Sequence, residues 1–254
     1  MNTGIRMSIP TSIERAASAA QAEGKDAARN LFRLIQFSDS AFPIGTFSFS
    51  NGLETAAHLG IVHDAATLAE YARSAAWQAA TSDAVAALHA FRGATASDYA
   101  AILRADRQIY NFRLNDEGRL MLCRMGKKLA ELAADLLEKD SLFEKWLADI
   151  NGGVTPGAFP VSQGIAFARL GLSERELFVS HQYGVINMAL SAALRCVRVS
   201  HYDTQKILFD LSREIDAAFD EARGMTFDDM RSFVPQMDLF ASLHEKGSMR
   251  MFMN

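Results

Sequence analysis

The chain has 254 residues, 49% of them hydrophobic, and a net charge of −4. That length can bury a sizeable core in one large domain or two small ones. The acidic balance argues against nucleic acid, because a phosphate-gripping protein shows a basic face or run. The nearest candidate, Arg119, Arg124, Lys127 and Lys128, sits among acidic neighbours and reads as a solvated helix face.

Residues 1–28 are rich in Ala, Ser, Thr and charge, without an apolar period. They predict a mobile tail with a short helix over 12–22, and they lack the apolar core of a signal peptide. A helical domain is expected over 29–254. Its first feature is the segment Phe37 to Glu54, which carries four aromatics, a Pro and two Gly between helices. Either it folds back onto the core, with Asp39 and Ser40 capping, or part of its apolar surface is a docking patch. Thr67 with Glu70, Ser141 with Glu144 and Ser173 with Glu176 each fit a capping box, in which hydroxyl and carboxylate satisfy each other's helix-start amides. Alanine is abundant over 65–101, so those helices can pack closely. Leu129, Leu132, Leu136 and Leu137 form one helical stripe, and Leu208, Leu211, Ile215 and Phe219 another.

The segment from Glu174 to Val197 is apolar on nearly every face beyond Tyr183, which marks a central helix. Turn signals fall at Phe42 to Gly45, Gly152-Gly153, Thr155 to Gly157 and Gly224. Runs of alternating β-branched residues are almost absent. The expected fold is all-α, a single domain of roughly ten helices packed around a central apolar helix. The longest apolar stretch, Tyr183 to Val197, is interrupted by Asn187, Ser191 and Arg195, and falls short of the ~20 residues that span a bilayer. Cys123 and Cys196 lie far apart in apolar patterns and read as buried thiols of a reducing cytoplasm.

Catalytic motifs are incomplete. A P-loop would place Gly at 121 and Ser or Thr at 128, where this chain has Met121 and Lys128. His244-Glu245 begins a zinc-protease motif, but position 248 is Ser. No two of His58, His63, His89, His181, His201 and His244 have the i, i+4 spacing of a ligand pair. Cys196 has His201 nearby, but apolar surroundings would leave the thiol inert. The expectation is therefore not an enzyme, with no tightly bound cofactor. The C-terminus is unusual for a chain end: Met249, Met251, Phe252 and Met253 surround Arg250. Such an end is docked on its own core, is ordered by a partner, or ligates a soft metal through its thioethers.

Two of these segments resemble the UreF family of urease accessory proteins. The family pattern DS-x-FP-x-G-x-[FY]-x-x-S-x-GLE is matched by Asp39, Ser40, Phe42, Pro43, Gly45, Phe47, Ser50, Gly52, Leu53 and Glu54. The family tail HE-x-x-x-SRLF is matched by His244, Glu245, Arg250 and Phe252, with Met249 and Met251 replacing its Ser and Leu. Pro160, Val161 and Gly164 resemble a PV-x-x-G helix start without its preceding His. Of a PLGQ-x-DGQ motif only Asp203 and Gln205 remain. The resemblance covers about residues 30–254.

It implies an all-α dimer in complex with the scaffold protein UreD (UreH in some organisms) and the GTPase UreG, delivering nickel to apo-urease without catalysis of its own. Carried over by residue, the tail positions His244, Glu245, Met249, Arg250, Met251, Phe252 and Met253 would bind partners. Phe42, Pro43, Gly45 and Phe47 would do the same from the loop. Arg195 takes the place of a basic residue that regulates the GTPase, in the manner of residues that act on a partner's phosphates in trans; the plainer reading is an Arg facing helix-end carbonyls. Tyr183 matches an aromatic position on the dimerisation helix. Two other readings stay open: a generic helical oligomer, and a small-molecule-binding all-α enzyme using His181 or His201.

Overall fold

The computed structural model describes residues 26–46, 49–137, 140–232, 234–245 and 252, with the backbone alone for His244 and Glu245. Residues 1–25, Phe47, Met249, Arg250, Met251 and Met253 therefore lie outside the described residues, and the expectations placed on them with them. The elements in chain order are α1 (26–38), α2 (Leu53–His58), α3 (Ala65–Ala80), α4 (Asp83–Thr95), α5 (Tyr99–Phe112), α6 (Asp116–Leu136), α7 (Ser141–Asn151), α8 (Phe159–Arg169), α9 (Glu174–Cys196), α10 (His201–Leu211), α11 (Ile215–Ala222) and α12 (Pro235–Glu245). No described residue is in a strand, and the chain is all-α as expected. No helix among these residues is long and apolar enough to cross a membrane.

The helix starts follow local chemistry. α9 opens with the expected box: Glu176 N donates to Ser173 Oγ, and Ser173 N donates to the Glu176 carboxylate at 2.6 Å. The other two boxes are corrected. α3 is capped by Asp64, and Thr67 is its third-residue partner rather than the cap. α7 is capped by Asp140, whose carboxylate accepts from the Leu142 and Phe143 amides, with Ser141 already inside the helix. In both, an upstream aspartate brings a negative charge to the positive helix end, which a hydroxyl cannot. The Thr67 amide accordingly holds the Asp64 carboxyl below its usual value.

α8 is the most enclosed helix, with every residue from Pro160 to Phe167 buried. It packs on α4, α6 and α9, and two glycines permit this. A Cβ on Gly164 would lie 2.3 Å from the Ala87 carbonyl oxygen of α4, and one on Gly126 of α6 would lie 2.0 Å from the Gly157 carbonyl oxygen ahead of α8. These are backbone-to-backbone approaches that no side chain can yield to. α9 has a different role. Leu177 and Phe178 belong to one core cluster, and Ile186, Leu190, Ala192 and Ala193 to the other, so this helix joins the two. Its Val179 and Tyr183 face outward. The stripe from Leu208 to Phe219 is shared by α10 and α11, because a 3-10 turn at Ser212–Glu214 divides them.

The turn before α8 is held from α5. Asp106, fully buried, accepts hydrogen bonds from Thr155 Oγ1 at 2.5 Å, from Gly157 N at 2.8 Å and from Ala158 N at 2.7 Å. One carboxylate thus satisfies the amides that the Thr155 to Gly157 turn leaves without helical partners.

Candidate functional site: the loop, the tail socket and the cleft between them

The described aromatics of the loop fold back onto the core. Phe37, Ile44 and Phe49 are buried in the core, and Phe42 is half-buried with its ring 4.8 Å from that of Phe37. Pro43 and Gly45 form the exposed crest, Gly45 at φ 87°, where a side chain would be strained. Asp39 Oδ1 accepts from Ala41 N at 2.8 Å, so it folds the turn after α1. The loop returns to the body through Asn51, whose carbonyl accepts from Tyr71 Oη at 2.6 Å. At Gly52 the backbone of α12 comes so close that a Cβ would sit 3.1 Å from the Met237 carbonyl oxygen.

α2 begins there, and beside it the tail makes its contact. Phe252 is buried among residues of the second cluster, which also holds Leu53, Tyr71, Ile186, Leu190 and Met237. Phe252 N donates to Glu54 Oε2 at 3.2 Å, and the Arg195 guanidinium lies 4.3 Å from the centre of the Phe252 ring. The structure therefore brings together three motif residues that are far apart in sequence. A cation over an aromatic face contributes about 0.5–2 kcal/mol. Arg195 also stands in the last turn of α9, where its charge suits the helix dipole. Glu54 is matched by the loop motif but is not among the residues expected to bind partners; its signal was its place at the Gly-Leu-Glu end of that motif, a carboxylate next to a leucine that is fully buried.

Between loop, α6, α9 and α12 runs a cleft of about 140 Å³, lined in part by Phe49, Met125, Met188, Arg195 and Met237. Its floor is polar and buried. Arg113 pairs with Asp83, and Asn115 Nδ2 donates to Asp238 Oδ1 at 3.1 Å. Burial raises the Asp238 carboxyl above its usual value, with Asp83 adding to the effect and Arg113 opposing it. Ser38 Oγ donates to Ser180 Oγ at 2.8 Å, tying α1 to α9. Gln163 donates its amide nitrogen to Ser180 Oγ, leaving its oxygen to accept from His181 Nδ1 at 2.8 Å. This assigns the proton to Nδ1, and Nε2 has no hydrogen-bond partner among the described residues.

Burial depresses the His181 pKa, with Asp83 opposing that shift and Arg113 adding to it. The folded chain thus resists protonating a ring whose ordinary value is 6.5. Its stabilising contribution is complete above that value and is lost as pH falls below it. Thermal unfolding should therefore shift to lower temperature between pH 7.5 and 5.5, and the shift should shrink in His181→Gln. Equal pH slopes in the two proteins would refute the assignment. His89, half-buried and also depressed by burial, accounts for a remaining slope.

The enzyme candidates lose their chemistry. His181 is buried and neutral, and His201 is exposed at the start of α10, outside the cleft lining. Cys123 and Cys196 are free, and burial pushes both thiols up to about 11, far from a reactive thiolate. Among the described residues no group of three or more His, Cys, Asp or Glu is placed to hold a metal ion.

Residues 62–212 match the UreF family model. The urease accessory protein UreF 2 of Brucella canis is 48% identical over 224 residues, covering 88% of this chain and 92% of its own. The urease accessory protein UreF of Yersinia pseudotuberculosis is 45% identical over 227 residues, covering 89% of this chain and 99% of its own. The matched span runs from just after α2 through α10, so it contains the Asp83–Arg113 pair and Asn115 of the polar floor, α9 and Arg195. The chain belongs to the UreF family, the non-catalytic accessory proteins of urease.

Proposed function

We propose that this chain is the adaptor of a urease maturation complex, joining the UreD (UreH) scaffold to the UreG GTPase while nickel passes as cargo to apo-urease in the cytoplasm. The observation that carries this reading is the seating of Phe252 against Glu54 and Arg195. Phe252 serves as an anchor that holds the tail on the body, and the neighbouring tail residues, His244 to Met253, present the scaffold-binding surface together with the Pro43–Gly45 crest. Arg195 belongs to the same contact, so the residue read as regulating the GTPase sits where the tail returns. In this role the chain brings no nucleotide site of its own, and the partner supplies the phosphate chemistry.

The homodimer reading gains support from α1 and α9. Leu31, Phe32 and Ile35 of α1 are exposed, as are Val179 and Tyr183 of α9, and the Ser38 to Ser180 bond holds these two helices side by side. Such an apolar surface fits burial against a second copy. Tyr183 and Arg195 are twelve positions apart on one helix, roughly 18 Å at 1.5 Å per residue, so dimer and GTPase contacts need not compete. Tyr183→Asp should convert a dimer to a monomer by light scattering; an unchanged mass would remove Tyr183 from the interface.

The test of the adaptor reading is co-elution with UreD, comparing the full chain with one ending at His244. The full chain should form the complex, and the truncated chain should bind at least a hundredfold more weakly. Equal binding by both would place the scaffold contact elsewhere.

A further inference from the structure

α9 turns His181, Gly184, Met188, Ser191 and Arg195 to the cleft. Steps of three and four keep these residues on one helix face. Two of them are small, and a Cβ added to Gly184 would meet nothing within 4 Å. Elsewhere α9 buries Leu177, Ile186 and Leu190, so this face leaves room where the others fill it. Met121 and Met125 of α6 and Met237 of α12 line the cleft together with Met188. Thioether side chains are unbranched and can repack around a guest. The space, about 140 Å³, is close to the cavity of about 150 Å³ that takes up benzene in another protein.

The floor has two polar atoms to offer. His181 and Arg113 both line the cleft, and among the described residues His181 Nε2 and Arg113 Nε are buried without a hydrogen-bond partner. With Nδ1 spent on Gln163, His181 Nε2 is an acceptor that lacks a donor. Arg113 Nε carries a hydrogen and lacks an acceptor. Buried polar atoms are seldom left so. Arg113 and Asp83 lie near enough to His181 to act on its charge, so both atoms belong to one floor. The charged groups on the cleft leave little pull for a countercharge. Asp83 is paired with Arg113, Asp39 holds the Ala41 amide, and Arg195 lies over the Phe252 ring. Asp238 is bonded to Asn115, and burial already disfavours its charged form. We infer that the cleft is a binding site for a small neutral molecule of roughly benzene size whose head both donates and accepts hydrogen bonds, a primary amide being the simplest, with a short apolar body among the methionines. The molecule is bound and not turned over, since no nucleophile faces it. Water would answer the two polar atoms but not the methionine wall.

This inference does not rest on the adaptor reading, so its test needs the full chain alone. The probe is isobutyramide, with isobutyrate, isobutyramidine and benzene as comparisons. Carbon-13 labelling of the methionine methyls places reporters on the cleft at Met121, Met125, Met188 and Met237, and one away from it at Met225. Isobutyramide should shift the cleft methyls saturably, with a Kd of roughly a millimolar, and leave Met225 in place. The anion, the cation and benzene should each bind at least fivefold more weakly. His181→Phe, which removes the acceptor, should weaken the amide about fivefold. Gly184→Leu and Ser191→Phe, which fill the space from two positions, should each abolish saturation, and circular dichroism checks that the variants keep the fold. No saturable shift up to about 50 mM would leave the cleft to water and overturn the inference. So would benzene binding as well as the amide, or amide binding that all three variants leave within twofold. A chain that fails to bind UreD while still binding isobutyramide would count against the adaptor reading alone.

Discussion

Gly164→Ala should destabilise the protein, although alanine is the better helix former. Exchanging glycine for alanine inside a helix gains about 1 kcal/mol of propensity. Here the new methyl would lie 2.3 Å from the Ala87 carbonyl oxygen and 3.0 Å from Phe91 N. Both are backbone atoms of α4, so relief requires α4 and α8 to move apart along their shared contact. Overpacking of this kind costs about 3 kcal/mol or more, so the net loss should be about 2 kcal/mol or more. At about 2–4 °C per kcal/mol for a chain of this size, the unfolding midpoint should fall by roughly 5 °C or more. Gly126→Ala should behave in the same way, because its methyl would meet the backbone at Gly157, Ala158 and Phe159. Gly184→Ala supplies the control: it too is inside a helix, but nothing lies within 4 Å of the new methyl. That variant should gain stability by up to about 1 kcal/mol. The three midpoints separate close packing from propensity, and a stabilised Gly164→Ala would contradict the packing described for α4 and α8.

Asp106→Ala should be comparably severe by a different route. The change removes one acceptor set and strands three donors: Thr155 Oγ1, Gly157 N and Ala158 N. Each buried donor left unmade costs about 1–3 kcal/mol, and partial entry of water through the turn lowers the sum, so about 3–5 kcal/mol is expected. Asp106→Asn should be only slightly better, since its amide nitrogen would face donors where the carboxylate faced them with an acceptor. Hydrogen exchange gives a local readout: the Gly157 and Ala158 amides should lose protection by orders of magnitude more than amides of α3. Unchanged protection would mean that the turn is held by something other than this carboxylate.

These two positions also show what the sequence revealed and what it hid. Gly164 was visible as part of a motif, but the cause of the glycine, the Ala87 carbonyl, lies on a helix far away in the chain. Gly52 is alike: the loop motif marked it, and only the approach of α12 explains it. Helix identity was readable because periodicity and caps are local, and the Ser173–Glu176 box held for that reason. The boxes at Thr67 and Ser141 were misplaced because Asp64, three residues upstream of the first, and Asp140, directly before the second, take the cap positions. The loop aromatics could not be sorted by pattern. Phe37 and Phe49 face inward while Pro43 faces out, and this is decided by where α12 and α6 lie. Least readable was the polar floor. Asp83 and Arg113, thirty residues apart, become a buried pair only once α4 and the end of α5 meet.

In the role proposed for it, this chain acts on urease through partners, without turnover of its own. That role is tested most directly by reconstituting activation from purified apo-urease, UreD, UreG, nickel and GTP, with this chain added or left out, and measuring the nickel bound per urease active site. Metal-filled, active urease is expected only when the full chain is present, and little filling when it ends at His244. Equal nickel loading with and without the chain would contradict it.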